Sequence, residues 1–560
     1  MSGIVLLLIA IVVLLVGYVG YGGWLVKQWG IDPTRKTPAY EMEDGVDYCP
    51  AKAPVLLGHH FASIAGAGPI NGPIQAAYFG WLPCLLWILL GGIFIGAVQD
   101  FSALFVSIRN KGKSIGEVLE VSLSHKCKMM FSVFTWLVML LVDAAFADIV
   151  AKTFAPSTGG SGSVAMASLL FIPMAIAFGF AVYRKHTPLL ISSVVGVIVL
   201  ALCVAGGIYF PLVIDNVTFW RVVVFVYCAI ASVTPVWILL QPRDYLNSFL
   251  LYFMIICAII GIFGANPDIQ LPAFIGWKLN GTYLFPTLFI TIACGAVSGF
   301  HSLIASGTTS KQISSEKDAK MIGYGGMLIE CVLAVISLVC VGNLTSDGAY
   351  AAIGTPAVVF ATGVRTFFET MGMGAQAAEV AYTVICLAVS AFCLTSLDTC
   401  CRLGRFTLQE MFQPKAGAQP TGLQTALQNK YVSTIVNLAF AGLLVVAGYD
   451  KIWPLFGAAN QMVAVPALMA AAVFLKKIGK GYKMFIVPMF FMALASMSSL
   501  VLTLITRVQS VMGGGLDATT MFTDVLQSII IVPMLVLAVL LLIDGCKYLF
   551  GHSESEAQAA

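Results

Sequence analysis

Of 560 residues, 59% are hydrophobic and only 10% are charged, and the formal net charge is +3. A soluble globular chain carries roughly 25% charged residues, so a water-soluble enzyme, a disordered hub, a coiled coil and a nucleic-acid binder are all excluded. The small basic excess is what the cytoplasmic loops of a membrane protein supply, and it points to no polyanionic partner.

A membrane helix needs about 20 mostly apolar residues. Fifteen stretches meet that requirement: 3–26, 55–78, 81–107, 128–150, 165–183, 188–210, 219–240, 245–263, 286–306, 321–343, 377–397, 431–448, 452–475, 483–506 and 526–549. The first has no basic residue before it, Lys27 just after it and no small-residue cleavage site, so it reads as a retained helix. Lys and Arg concentrate in alternate loops, from Arg109, Lys111 and Lys113 through Arg402 and Arg405 to Lys476 and Lys477. That alternation places the N-terminus outside and the C-terminus in the cytoplasm. The polar stretches 27–54, 344–375 and 398–430 each have room for a short interfacial helix, and the tail 551–560 reads as disordered.

Stretch 55–78 carries Gly58, Gly66, Gly68, Pro69, Gly72 and Pro73. Proline removes a donor and clashes with the preceding turn, so a continuous helix is not expected there. Main-chain groups freed inside lipid cost several kcal/mol each unless they are buried in protein or face a watery cavity. Half-helix ends then aim partial charges at that cavity. Gly66, Gly68, Asn71, Gly72 and Gln75 are the candidate substrate contacts. His59 and His60, early in the same stretch, suit a proton relay or an anion contact.

Asp100 precedes Arg109 and Lys111 and is read as their ion-pair partner or a loop anchor. Asp148 lies four residues before Lys152 and is expected to pair with it. Asp143 has no local partner and lies deeper, so it is a coupling or gating candidate. Stretch 219–240 holds Pro235 mid-span and runs opposite to 55–78, five spans later. Two interrupted, oppositely directed helices at that spacing predict an inverted five-plus-five repeat.

Stretch 286–306 places Ser298, His301 and Ser302 at i, i+3 and i+4, on one helix face. That face could hold a desolvated Na⁺ on Ser298 and Ser302, or a proton on His301; the alternative is a small-residue packing seam whose hydroxyls bond their own helix. Glu330 lies deep in an apolar stretch with no nearby base. Asp398 and Arg402, at i and i+4, read as a structural ion pair. The 14 cysteines fall mostly inside apolar runs, where they act as small hydrophobes. No phosphate-binding loop, GxSxG, HExxH or zinc-type spacing occurs, so neither ATP-driven transport nor a membrane enzyme is indicated.

Several long blocks carry a resemblance. GHHFASIAGAGPINGP, LPCLLWILLGGIFIGAVQDFSALFVSIRNKGKSIGE, QPRDYLNSFLL, FPTLFITIACGAVSGFHSLIASGTTSKQI, IGYGGMLIE, LTSLDTCCRLGRFTLQE and WPLFGAANQMVA resemble the carbon starvation protein A family, over about residues 50 to 470. The resemblance implies a secondary carrier of the amino acid–polyamine–organocation superfamily. It implies a leucine-transporter-type core of discontinuous helices, a bacterial inner membrane location, and uptake of peptides or proton-coupled uptake of pyruvate.

The expected protein is therefore an all-α polytopic membrane protein of about fifteen spans. An extra helix and loop occupy 1–54, one repeat 55–210 and the other 219–397. A cytoplasmic loop follows at 398–430, then additional helices at 431–550. Its expected function is import of a small carboxylate or peptide by symport with H⁺ or Na⁺, with no further cofactor. The competing reading is a membrane nutrient sensor that binds without net transport. Substrate and lipid are the partners, nucleic acid is not, and a homo-oligomer is compatible with the sequence.

Overall fold

The computed structural model describes residues 1–550 except 46, 159, 186, 280, 348, 350–351, 414–418, 447–448 and 514–516. The expected disordered tail falls outside these residues. Helix dominates; among the described residues the one sheet pairs Lys278–Leu279 with Thr282–Tyr283.

Among the described residues, eleven helices are long and apolar enough to cross a membrane. They coincide with eleven of the fifteen predicted stretches. Two more stretches form the shorter apolar helices Val217–Val233 and Lys430–Val445. The remaining two are interrupted. The first divides into Ala53–Ile64 and Gly68–Ala76, with Pro69 in the opening turn of the second piece, where a missing N–H costs nothing. The second divides into Leu284–Thr291 and Gly299–Gly307.

The second break is not where the sequence pattern placed it. Thr234 is extended and Pro235 lies in the turn between Val217–Val233 and Leu240–Ala265, so this proline separates two helices and does not interrupt one. The interruption falls instead at 292–298, in a run of small residues that contains no proline. Ser298 is consequently the extended residue that precedes Gly299–Gly307, and the expected single face of Ser298, His301 and Ser302 does not exist. One helix also enters the bundle from the polar stretch 344–375. Pro356–Thr370 buries Val359, Phe360, Val364 and Phe367 and packs on helices 240–265 and 375–411, so it is not an interfacial helix.

Loop contacts sort the connections onto two faces. Ser2 bridges Asp268, and Ser157 N–H donates to Asp215, on one face. Ala51 bridges Ile313, Arg109 pairs with Glu316, and Lys126 pairs with Asp544 on the other.

Packing follows an exchange pattern. The first broken helix lies against helices 240–265 and 326–344, and the second lies against 449–477 and 97–109. Each break is thus covered by the helix that follows the other break. Helices 125–154 and 375–411 pack along each other, and both short helices, 217–233 and 430–445, touch both of them.

The two breaks meet. A Cβ at Gly68 would fall on the Cβ of Cys294 and 2.5 Å from its Sγ, and one at Gly72 would lie 2.7 Å from the Thr291 carbonyl oxygen. Only glycine lets these backbones approach so closely. Gly68→Ala and Gly72→Ala are each expected to lower stability by about 1–3 kcal/mol through overpacking. Cys294→Gly should restore Gly68→Ala, because the clash is with one side chain. It should not restore Gly72→Ala, where the clash is with main chain. Thermal melting of the detergent-purified variants checks this, and wild-type melting of Gly72→Ala would refute the contact.

Candidate functional site

The junction of the breaks is buried, and several of its main-chain groups are bonded from within the protein. At the first break, Ala65 N–H donates to the Phe61 carbonyl at 2.9 Å and Asn71 N–H to that of Ala67 at 2.8 Å. Ser396 Oγ donates to the Ser63 carbonyl at 2.9 Å, and Gly66 packs on Ser396 and Phe146. At the second break, side-chain amides take over. Gln99 Nε2 donates to the Ser298 carbonyl at 2.6 Å and Gln461 Nε2 to that of Phe289 at 2.7 Å. Asn460 Oδ1 accepts from Phe300 N–H at 2.7 Å, while Asn460 Nδ2 donates to Ser298 Oγ at 3.0 Å. Ser302 Oγ bonds the Gly299 carbonyl of its own helix at 2.6 Å.

A cavity of about 320 Å³ opens toward the face that carries Ser157 and Asp215. Asn71 lines it, along with Ile149, Lys152, Thr153, Thr355, Glu379 and Tyr382. Lys152 bonds Asp148 at 3.0 Å, as expected, and Arg221 binds the same carboxylate. Two cations on one carboxylate leave a positive excess, and of the three residues Lys152 lines the cavity. Glu379, which also lines the cavity, pairs with Arg365 at 3.1 Å.

The opposite face is closed by buried charge. Arg243 binds Asp398 through both terminal nitrogens and reaches Asp244 Oδ1 at 2.5 Å. Tyr227 O–H donates to Asp398 at 2.9 Å, and His59 Nδ1 lies 2.8 Å from Asp244 Oδ2. Arg402 donates to the carbonyls of Ala231 and Thr234 and sits 3.5 Å from Asp47. The expected Asp398–Arg402 pair is therefore absent, because each residue finds a partner on another element. Asp100 likewise pairs with His301 Nδ1 at 2.9 Å, while Arg109 binds Glu316.

The structure thus gathers Gly66, Gly68, Asn71 and Gly72 with Ser298 and His301 at or beside the junction. Gln75 is half-buried one turn beyond Asn71. His59 belongs to the closed face. His60 bonds Thr309 at 2.8 Å. Glu330 is not isolated: its Oε2 lies 3.5 Å from His301 Nε2. Asp143 stands apart, receiving Asn437 Nδ2 at 2.9 Å and the Cys401 thiol at 3.2 Å. Reading the chain alone missed the roles of Gln99, Cys294, Asn460, Arg243 and Asp244. All five lie in blocks that carry the resemblance, which was the available signal.

Two interrupted helices crossed inside a helical bundle define a multi-pass membrane protein with a transporter fold. A mutant of the manganese transporter of Eremococcus coleocola shares that fold, with a TM-score of 0.51 at 10% identity over 90% of this chain and 99% of that one. The profile of the carbon starvation protein CstA family matches residues 2–359 and 348–499, and this chain belongs to that family. It is 34% identical to the peptide transporter CstA of Campylobacter jejuni over 86% of this chain and 77% of that one. It is 33% identical to the pyruvate/proton symporter BtsT of Escherichia coli over 85% and 78%.

Arg243 pairs with two buried carboxylates at once. Arg243→Gln should cost about 3–5 kcal/mol by stranding Asp244 and Asp398. Asp398→Asn in that background should recover part of the loss, as coupled neighbours do. Melting curves of the two variants test the pairing, and equal stability of Arg243→Gln and wild type would contradict it.

Proposed function

We propose that this protein is a proton-coupled importer of a small carboxylate or short peptide in a bacterial inner membrane, with its N-terminus outside and C-terminus in the cytoplasm. One observation carries the reading: a cavity runs from one face to Asn71 at the junction of two broken helices, while a buried ion network closes the other face. A site reached from one side and sealed from the other is what alternating access requires. The names of the relatives support transport of peptide or pyruvate and coupling to protons. Nothing favours a sensor, and an enzymatic role has no support.

The exchange pattern of packing supports an inverted repeat with halves 53–265 and 284–477. These bounds replace 55–210 and 219–397. Helices 162–182, 189–209 and 356–370 are then insertions, and 3–29, 483–513 and 518–550 flank the core.

A substrate carboxylate enters past Lys152 and reaches Asn71. A peptide also carries an ammonium group, for which Glu379 in the cavity lining is the complement. Asp143 is the coupling residue in this reading. It is fully buried, its donors are the neutral Asn437 and Cys401, Cys228 and Cys400 lie beside it, and no Lys, Arg or His bonds it among the described residues. A proton is the cation that can neutralise it without a protein partner.

Proteoliposome uptake tests this. An inward proton gradient should drive accumulation of labelled pyruvate or dipeptide, and a sodium gradient should not. Uptake indifferent to the proton gradient would refute the coupling. Asp143→Asn should abolish accumulation but keep substrate exchange. Lys152→Met should raise KM about tenfold, the equivalent of one lost charged hydrogen bond. Glu379→Gln should impair dipeptide uptake and spare pyruvate uptake.

A further inference from the structure

Beside the junction lies a cluster that the transport reading leaves unused. Cys294 Sγ, His301 Nε2 and a Glu330 carboxylate oxygen lie within 4.8 Å of one another. All three side chains are buried, Cys294 with 4% exposure and the others with none. Neither oxygen of Glu330 has a hydrogen-bond partner among the described residues, and neither does His301 Nε2. Buried polar atoms are costly when unpaired, and these lie beside the Cys294 thiol, whose own contacts are long: 3.5 Å to Ser298 Oγ and 3.8 Å from Asn460 Nδ2.

Distance decides what this cluster can hold. His301 Nε2 and Glu330 Oε2 are 3.5 Å apart, beyond the usual N–H···O distance of about 2.9–3.0 Å. Two ligands held at about 2.0–2.1 Å by a tetrahedral zinc-type ion stand about 3.4 Å apart. The gap is therefore too long for a direct bond and matches one edge of a coordination tetrahedron. His301 is also oriented for the task. Its Nδ1 lies 2.9 Å from Asp100 Oδ2, so that carboxylate accepts the Nδ1 proton and leaves the Nε2 lone pair aimed at Glu330. A carboxylate behind a ligating histidine is the recurrent support of a metal site.

We infer that Cys294, His301 and Glu330 form a binding site for a zinc-type transition-metal ion. Thiolate, imidazole and carboxylate together favour Zn²⁺ or Co²⁺ over Mg²⁺ or Ca²⁺, which take oxygen. Thiolate and carboxylate supply two negative charges to balance the ion. Three protein ligands leave a coordination position open, the mark of an exchangeable ion and not of a closed structural site. The cluster also lies close to the cavity. Asn71 lines the cavity, and Gly68, three residues earlier, packs directly on Cys294.

The ligands come from the second break and from helix 316–344, and the orienting Asp100 comes from helix 81–109. A bound ion ties the second break to helix 316–344 within the half 284–477, and His301 carries the contact to Asp100 of the half 53–265. If the proposed rocking of the two halves is correct, Zn²⁺ holds them in one arrangement and inhibits uptake.

The test titrates Co²⁺ into metal-stripped, detergent-purified full-length protein. One Co²⁺ per chain is expected, with a thiolate-to-cobalt charge-transfer band that Zn²⁺ abolishes by competition. Cys294→Ser should remove the band. His301→Gln and Glu330→Gln should each weaken binding at least tenfold, and Asp100→Asn should weaken it about 10- to 100-fold while keeping the band. Cys331→Ser, a buried cysteine next in sequence to Glu330, is the control that should keep both band and affinity. Melting curves in metal-free buffer show which variants are folded, and Cys294→Ala substitutes if Cys294→Ser is not. Absence of the band in wild type, or its survival in Cys294→Ser, would overturn the site. Cobalt binding with uptake unaffected by Zn²⁺ would uphold the site and refute its control of transport. Cobalt binding in a protein that transports nothing would uphold the site and refute the carrier reading.

Discussion

Main-chain polar groups inside lipid must be bonded, and this constraint shapes the centre of the molecule. Two helices stop halfway and restart, each freeing several N–H and C=O groups where water is scarce. The first break closes most of its own groups through local turns and borrows one hydroxyl from Ser396. The second cannot, and amides from distant segments, Gln99, Asn460 and Gln461, bond its exposed ends. Those amides hold the break open and fix its place against Gly68 and Gly72. The irregular backbone is thus a built structure whose supports lie on helices 81–109 and 449–477.

Charge is distributed under the same constraint. Buried ions are tolerated only when paired and bonded. Here they are concentrated on one side of the junction, in the set that joins Arg243, Asp244, Asp398, Tyr227 and His59. These residues come from helices 53–64, 217–233, 240–265 and 375–411, so one ionic knot fastens four elements. On the other side the helices part around a cavity whose floor includes Asn71. The asymmetry is what gives the static structure a direction: one face is sealed by interactions that must break together, and the other is open.

Much of this was legible in the chain because lipid imposes a simple rule on length. Eleven of the fifteen apolar stretches coincide with long helices, and paired Gly-Pro steps marked the first break. The second break left no such sign. Small residues such as those at 292–298 pack well in a helix or outside one, so ACGAVSG reads either way. A proline in a turn reads like a proline in a kink, and Pro235 for that reason mimics a break. Charged pairs fail for a related reason. Spacing along one helix suggests Asp398 with Arg402, yet tertiary packing brings Asp398 to Arg243, 155 residues away. Arg109 is the local choice for Asp100, which instead meets His301, 201 residues on. Local rules find helices; which faces of those helices meet is decided by packing that no window of sequence contains.

The central claim is that water reaches the junction from one face only. The direct measurement replaces Asn71 with cysteine, in a protein whose half-buried Cys49, Cys257, Cys386 and Cys546 have been changed to serine, and labels it in sealed vesicles with a membrane-impermeant maleimide. The account predicts labelling from the side that bears Lys152, slowed by substrate, and none from the side that bears Arg402. Labelling from the Arg402 side, or from neither, would contradict it.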